Sequence, residues 1–235
     1  SDVGCPKCTQ CTGFLSIRNS WANLSNRKDY TGDPKYKDAA ITHAKRTMEV
    51  HYRDNMSAYH VVDLDSVTGE IRSKQTAQGY APESRWARGQ AWGFYGFIAT
   101  YRHTKDSVYL IQAQKIADYI WNNAKVKDGC IPYWDYDAPN IPNEPVDASA
   151  AAISASALIE IGKYLGEPYL ERGTKILETL ASEKYFAEVG TNGNFLIKHC
   201  VGSIPHNSEI DVPVIYADYY FLEALLKLKN LKLNL

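Results

Sequence analysis

Across 235 residues the chain is 45% hydrophobic and 23% charged, enough apolar mass for one sizeable core. The formal charge of -1 comes from interspersed Lys/Arg and Asp/Glu, which leaves no basic footprint for nucleic acid or an anionic membrane, and no apolar run approaches the ~20 residues of a membrane span. Small molecules are the expected partners, and 17 Tyr with 5 Trp supply the amphipathic aromatics that line ligand clefts and stack on sugar rings.

Residues 1–30 are the least patterned segment. They carry "GCPKCTQC", in which Cys5, Cys8 and Cys11 offer three soft ligands. A structural zinc site closes with four, and only Cys130, Cys200 or a histidine remains to complete it, so no metal is expected. The chain opens on serine and lacks the basic-then-apolar order of a signal peptide, as expected of a processed or partial product.

From Thr31 a repeated design begins. "TGDPKYKDAAITHAKRTM", "TKDSVYLIQAQKIADYIW" from Thr104 and "LGEPYLERGTKILETL" from Leu165 each combine a turn with an amphipathic helix. Gly32-Asp33-Pro34 and Gly166-Glu167-Pro168 place a flexible residue, an acid and a first-turn proline at the helix start. These predict half-exposed outer helices. "WARGQAWGFYGFIATYRH" and "DASAAAISASALIEIGKYL" precede the second and third copies and are apolar or small all round, which predicts buried inner helices, the latter capped by Asp147. "VIYADYYFLEALLKLKNL" predicts a closing helix. Between the helices, "YHVVDLDSVTGEIRSKQTAQGYAPES" predicts a hairpin or long loop, and the proline-rich "CIPYWDYDAPNIPNEPVD" predicts an irregular one.

Buried inner helix, turn and exposed outer helix, repeated, predict an all-α fold: an incomplete (α/α)6 toroid of helical hairpins with long functional loops. The copies recur at roughly 60–75 residues, so six hairpins need about 400. The segment 31–235 then forms a C-terminal portion of such a domain, after an atypical segment 1–30. Inner faces left without neighbours predict a tendency to aggregate.

Arg88 and Trp92 lie four apart on one inner helix, with Gln90 nearby and Tyr95 one turn further. A cation and an indole on one face suit an anionic sugar; the alternative is an internal pair between Arg88 and a carboxylate such as Asp135 or Asp137. His60 and Gln78 open and close the loop before that helix. Asp135 and Asp137, and Glu209 and Asp211 with His206, add acids on long connections, where an ordinary glycosidase would need a carboxylate pair.

Through "SRWARGQAWGFYGFIATYRHTKDSVYL", "IPYWDYDAPNIPNEPVDASAAAI" and "HCVGSIPHNSEIDVPVIYADYYFLEALL" the chain resembles glycoside hydrolase family 88, the unsaturated glucuronyl hydrolases, from about Thr31 to the C-terminus. The resemblance implies an (α/α)6 barrel and a substrate with a 4,5-unsaturated uronic acid at the non-reducing end of a lyase-produced oligosaccharide. It implies no metal or organic cofactor. In that chemistry an aspartic acid protonates C4 of the vinyl ether, water adds at C5, and the hemiketal opens. The resemblance places His60, Gln78, Arg88 and Trp92 at the family's substrate-contacting His, Gln, Arg and Trp. The family's acid, in a motif resembling Ile-Asp-Asn-Met-Met-Asn, falls near Ser16, where this chain reads "FLSIRNSWANLS". An alcohol cannot replace a carboxylic acid as proton donor, so the catalytic residue is unassigned and no turnover is expected of the 235-residue chain, read as a truncated part of such an enzyme or, alternatively, as a catalytically dead remnant that at most binds acidic sugars. The compartment, cytoplasm or periplasm, and the oligomeric state stay open.

Overall fold

A computed structural model describes residues 32–124, 126–127 and 130–233. The cysteine triplet and Ser16 lie outside the described residues. The order is α1 (Lys35–His51), β1 (Val61–Leu64), β2 (Ile71–Gln75), α2 (Ala87–Thr104), α3 (Ser107–Asn123), β3 (Val126–Lys127), β4 (Ile131–Pro132), α4 (Ala148–Leu165), α5 (Tyr169–Leu180), β5 (Cys200–Ser203), β6 (Ser208–Val212) and α6 (Ile215–Leu233). The fold is mostly helical rather than purely so, because the three long connections fold back as two-stranded antiparallel pairs.

The inner and outer helices separate by burial as their patterns predict. Every residue of α2 from Ala87 to Thr100 and of α4 from Ala148 to Gly162 is buried. On α3 only one stripe, including Tyr109, Ala113, Ile116 and Ala117, is buried, while Ile111 and Trp121 face outward. Central α4 packs against α2, α5 and α6, and small residues along it let the neighbours approach. Asp106 caps α3 by accepting from the Val108 N–H at 3.1 Å, and Asp147 caps α4 by accepting from the Ser149 N–H at 3.1 Å.

One helix is covered on one side only. On α6, Ala217, Tyr220, Phe221 and Ala224 enter the core, whereas Ile215, Tyr219, Leu222, Leu226 and Leu233 are each more than half exposed. They form an apolar stripe at helical spacing.

The connections that carry candidate residues are pinned by local chemistry. The β1–β2 turn is closed by Asp65, whose carboxylate accepts from the Val67 and Thr68 N–H groups, and Gly69 takes φ 73° there. Gly79 is required by contact: a Cβ at that position would lie 2.4 Å from Asp135 Oδ2. Asp135, accepting from the Tyr80 N–H, holds the residue 76–86 loop near the start of α2, while the Ala148 N–H donating to the His199 carbonyl and the Val201 N–H donating to Asp147 hold the β5–β6 hairpin at the start of α4.

Candidate active site

Arg88 enters at the first turn of α2 and is buried with Asp147, forming an ion pair at 2.7 Å. The same Nη1 donates to the Val201 carbonyl, and Nη2 donates to the Gly202 carbonyl at 2.6 Å. The guanidinium also stacks 4.6 Å from the Trp86 ring and 5.5 Å from the Tyr216 ring. Trp86 fits there because residue 89 is glycine; a Cβ at Gly89 would lie 2.8 Å from the indole. The Trp86 indole N–H is buried and meets no acceptor among the described residues.

His60 also meets Trp86, its ring tilted by 41° with the centroids 4.6 Å apart. Its Nδ1 accepts from the N–H groups of Ala77 and Gln78 at 3.3 and 3.4 Å. An acceptor Nδ1 fixes the proton on Nε2. Burial, with the Arg88 charge and His51 adding to it, lowers the imidazole pKa to about 4. His60 is therefore a neutral donor at physiological pH. The Tyr216 phenol, beside Arg88, is pushed up to about 12 by burial and stays protonated.

The four sequence-predicted residues do not play equivalent parts. His60 and Arg88 meet through Trp86, and Gln78 joins through its backbone N–H. Trp92 is buried, packed 5.2 Å edge-on to Tyr220 and 6.3 Å from Tyr216, so it supports the wall and does not present an open ring face. Gln90 is taken up by the Ala58 backbone, with its oxygen accepting at 2.9 Å and its amide donating at 3.1 Å. Tyr95 donates to Glu223 at 2.9 Å.

The internal partner expected for Arg88 is corrected. It is Asp147, since Asp135 and Asp137 are held elsewhere. Asp135 is fully buried and accepts from Ser84 Oγ at 2.6 Å and from the Tyr80 and Asp137 N–H groups; burial raises its pKa. Asp137 pairs with Arg85, through Nε at 2.7 Å and through Nη2. These two acids organise the loop, which removes the geometric support for them as a glycosidase pair. On the hairpin, His206 Nδ1 contacts Ser203 Oγ at 2.6 Å and Asp211 pairs with His199 at 2.7 Å, while Glu209 packs over Gly202.

No group of three or more metal-ligating side chains occurs among the described residues, and none of their helices is long and apolar enough to cross a membrane. An apolar cavity of about 280 Å³, lined by Phe94, Trp121, Tyr136, Leu158 and Ile176 among others, contains none of the four predicted residues.

No family model matches the sequence. A curated relative from Formosa agariphila, an unsaturated glucuronyl hydrolase, is 42% identical over 205 residues, spanning 87% of this chain and 51% of the relative. A crystal structure of an unsaturated glucuronyl hydrolase specific for heparin superposes with a TM-score of 0.91 at 41% identity, covering 94% of this chain and 60% of that one. Over most of its length the chain is similar to unsaturated glucuronyl hydrolases. A variant of the Streptococcus agalactiae unsaturated glucuronyl hydrolase, solved with dGlcA-GalNAc6S, superposes with a TM-score of 0.79 at 33% identity, covering 91% of this chain and 57% of that one. The chain thus spans about half the length of the curated unsaturated glucuronyl hydrolases it matches, 51% of the Formosa protein.

Against this family frame, sequence reasoning missed Trp86, Tyr216 and the Val201–Gly202 carbonyls, and saw Asp147 only as a helix cap. Trp86 precedes α2, off the helical face that drew attention to Arg88 and Trp92. The carbonyls have no side-chain signature, and they lie 113 and 114 residues from Arg88.

Proposed function

We propose that this protein hydrates the 4,5-double bond of an unsaturated uronic acid at the non-reducing end of lyase-produced oligosaccharides, and that this chain supplies the wall that holds the uronate. The observation that carries the reading is the state of Arg88. A guanidinium has five N–H donors in a planar fork. Both Nη1 donors and one Nη2 donor are spent on Asp147, Val201 and Gly202. Among the described residues Nε–H and the second Nη2–H meet no acceptor, and the Nε–Nη2 edge of a guanidinium matches a carboxylate bidentately. His60, a neutral Nε2–H donor, and the Trp86 ring flank it, and names and ligands of the relatives concern the same substrate class.

In the proposed reaction a proton is added at C4, hydroxide from water at C5, and the resulting hemiketal opens to release the sugar. Arg88 fixes the carboxylate at C5 and His60 donates a hydrogen bond without exchanging its proton. The C4 proton requires a carboxylic acid. The family resemblance puts its place near Ser16, outside the described residues, and the reading leaves the acid to another part of the polypeptide.

The finer fold reading is an arc of an (α/α)6 toroid, with α2, α4 and α6 inner and α1, α3 and α5 outer. The exposed stripe on α6 is what an inner helix shows where its next neighbour is not among the described residues.

The test is calorimetric titration with an unsaturated chondroitin or heparin disaccharide, run beside loss of the enol-ether absorbance. Binding that disappears in Arg88→Ala supports the reading. Binding unaffected by Arg88→Ala, or equal affinity for a neutral disaccharide, overturns it.

A further inference from the structure

The Asp147 carboxylate does two jobs with two oxygens. Oδ1 accepts from the Ser149 N–H at 3.1 Å, Ser149 Oγ at 2.6 Å and the Val201 N–H at 3.4 Å, which caps α4 and fastens β5 to it. Among the described residues Oδ2 accepts from Arg88 alone, at 2.7 Å. Capping a helix does not need the second oxygen or a full charge. Asp106 caps α3 through Oδ1 and makes no ion pair with an arginine among the described residues, and serine, threonine or asparagine serve equally at such positions.

The pair is also wholly buried, with side-chain exposures of 4% for Arg88 and 0% for Asp147. A buried ion pair gains little stability over an apolar replacement, because desolvating two charges offsets their attraction. What it supplies is direction. Three acceptors from two different segments, Asp147 after β4 and the two carbonyls of β5, fix the guanidinium plane in rotation, and Nε meets no acceptor among the described residues. Without Oδ2, Arg88 keeps only the two carbonyls, and the freed Nη1–H no longer orients the fork.

We propose that Asp147 is a positioning residue for uronate recognition: through Oδ2 it holds Arg88 so that Nε–H and the remaining Nη2–H face the substrate carboxylate as one fork. This rests on the function proposed above, deepening its account of how the acid is selected. Asp147 does not touch substrate and moves no proton. Its effect is on discrimination between a carboxylate and a neutral group at C5, and its counterpart on the other inner helix start is the arginine itself.

Asp147→Asn separates the two jobs. The amide oxygen can keep the cap at Oδ1, whereas its NH2 opposes the Arg88 donors at Oδ2. The first readout needs no ligand: the Arg88 Nη1–H resonances, held by Asp147 and the Val201 carbonyl, are expected in 15N NMR to be slowly exchanging in the native protein, with exchange about tenfold faster or more in Asp147→Asn. The second compares affinity for an unsaturated uronate disaccharide with affinity for its methyl ester. The native protein is expected to prefer the acid, and Asp147→Asn to lose about tenfold or more of that preference. Asp106→Ala, which removes a cap far from Arg88, is expected to lower Tm while leaving the acid-over-ester preference unchanged. Should Asp147→Asn not fold, Arg88→Lys retains a buried cation for Asp147 but removes the fork, and is expected to lose the same preference. Unchanged Nη1–H exchange together with an unchanged acid-over-ester preference in Asp147→Asn overturns the assignment, as does a retained preference in Arg88→Lys. If the native protein binds neither sugar, the functional reading fails, and the ligand-free NMR readout still decides whether Asp147 orients Arg88.

Discussion

The two ends of α2 carry an arginine each, and they are solved differently. At the C-terminal end, Arg102 meets Glu160 with two bonds of 2.6 Å, Glu160 also accepts from Lys227 at 2.8 Å, and Lys227 returns to Glu223 at 3.0 Å. Tyr95 and Ser156 donate to Glu223, so α2, α4 and α6 are tied by two acids and two bases whose charges balance. At the N-terminal end Arg88 is balanced by Asp147 as well, yet its remaining bonds go to backbone carbonyls and its Nε meets no acceptor among the described residues. A network closed on itself sets helix spacing; a network that leaves directed donors unspent can receive a ligand.

The contrast is most exposed to failure at Arg88. Arg88→Ala leaves Asp147 buried without a cation, which is expected to destabilise by about 3–5 kcal/mol as well as to remove uronate binding, read by chemical denaturation and calorimetry. Surviving affinity would erase the distinction between the ends. Next in size is Glu160→Gln, which leaves Arg102 and Lys227 facing each other without their shared acid. A loss of about 2 kcal/mol is expected, with affinity for the disaccharide unchanged; a matching loss of affinity would show that the lower network also shapes the site.

A third effect sharpens the comparison through pH. His60 has a folded pKa of about 4, and burial together with the Arg88 charge holds it there, below its unfolded value of about 6.5. The unfolded chain therefore binds the extra proton first. Stability from neutral His60 is fully present above about pH 6.5 and is lost as pH falls through about 4. His51, also lowered to about 4 by burial, acts in the same direction. An NMR titration is expected to show no His60 transition between pH 5 and 8, and His60→Gln to flatten the fall in Tm on acidification. A His60 transition near neutrality would restore a proton-transfer role at that end. Smallest is Tyr95→Phe, which removes one donor to Glu223 from a network that still has Lys227 and Ser156, for an expected cost of about 1 kcal/mol and no change in binding.

Much of this arrangement was legible in the chain. The all-round apolar and small-residue runs at 87–104 and 148–165 marked the inner helices, because a helix without a polar stripe has no face to give to water. Asp147 announced the start of α4 by residue type alone. The partner of Arg88 was not legible. Asp135 and Asp137 are as close in sequence, but Arg85 leads into α2 from the loop and takes Asp137, while Ser84 and the Tyr80 N–H take Asp135. Asp147 lies 59 residues from Arg88, and no local pattern links them.

Sequence alone determined the helical elements, their inner or outer character, the caps, and the set of polar residues at the start of α2, because periodicity, turn chemistry and burial preference act within a few residues along the chain. Tertiary structure alone decided which donors of Arg88 are spent and which remain, which proton His60 keeps, and that Trp92 is support where Trp86 is wall. Those outcomes depend on carbonyls and carboxylates brought in from distant segments, and hydrogen bonds are satisfied by whatever lies within about 3 Å in space, not by what lies near in sequence.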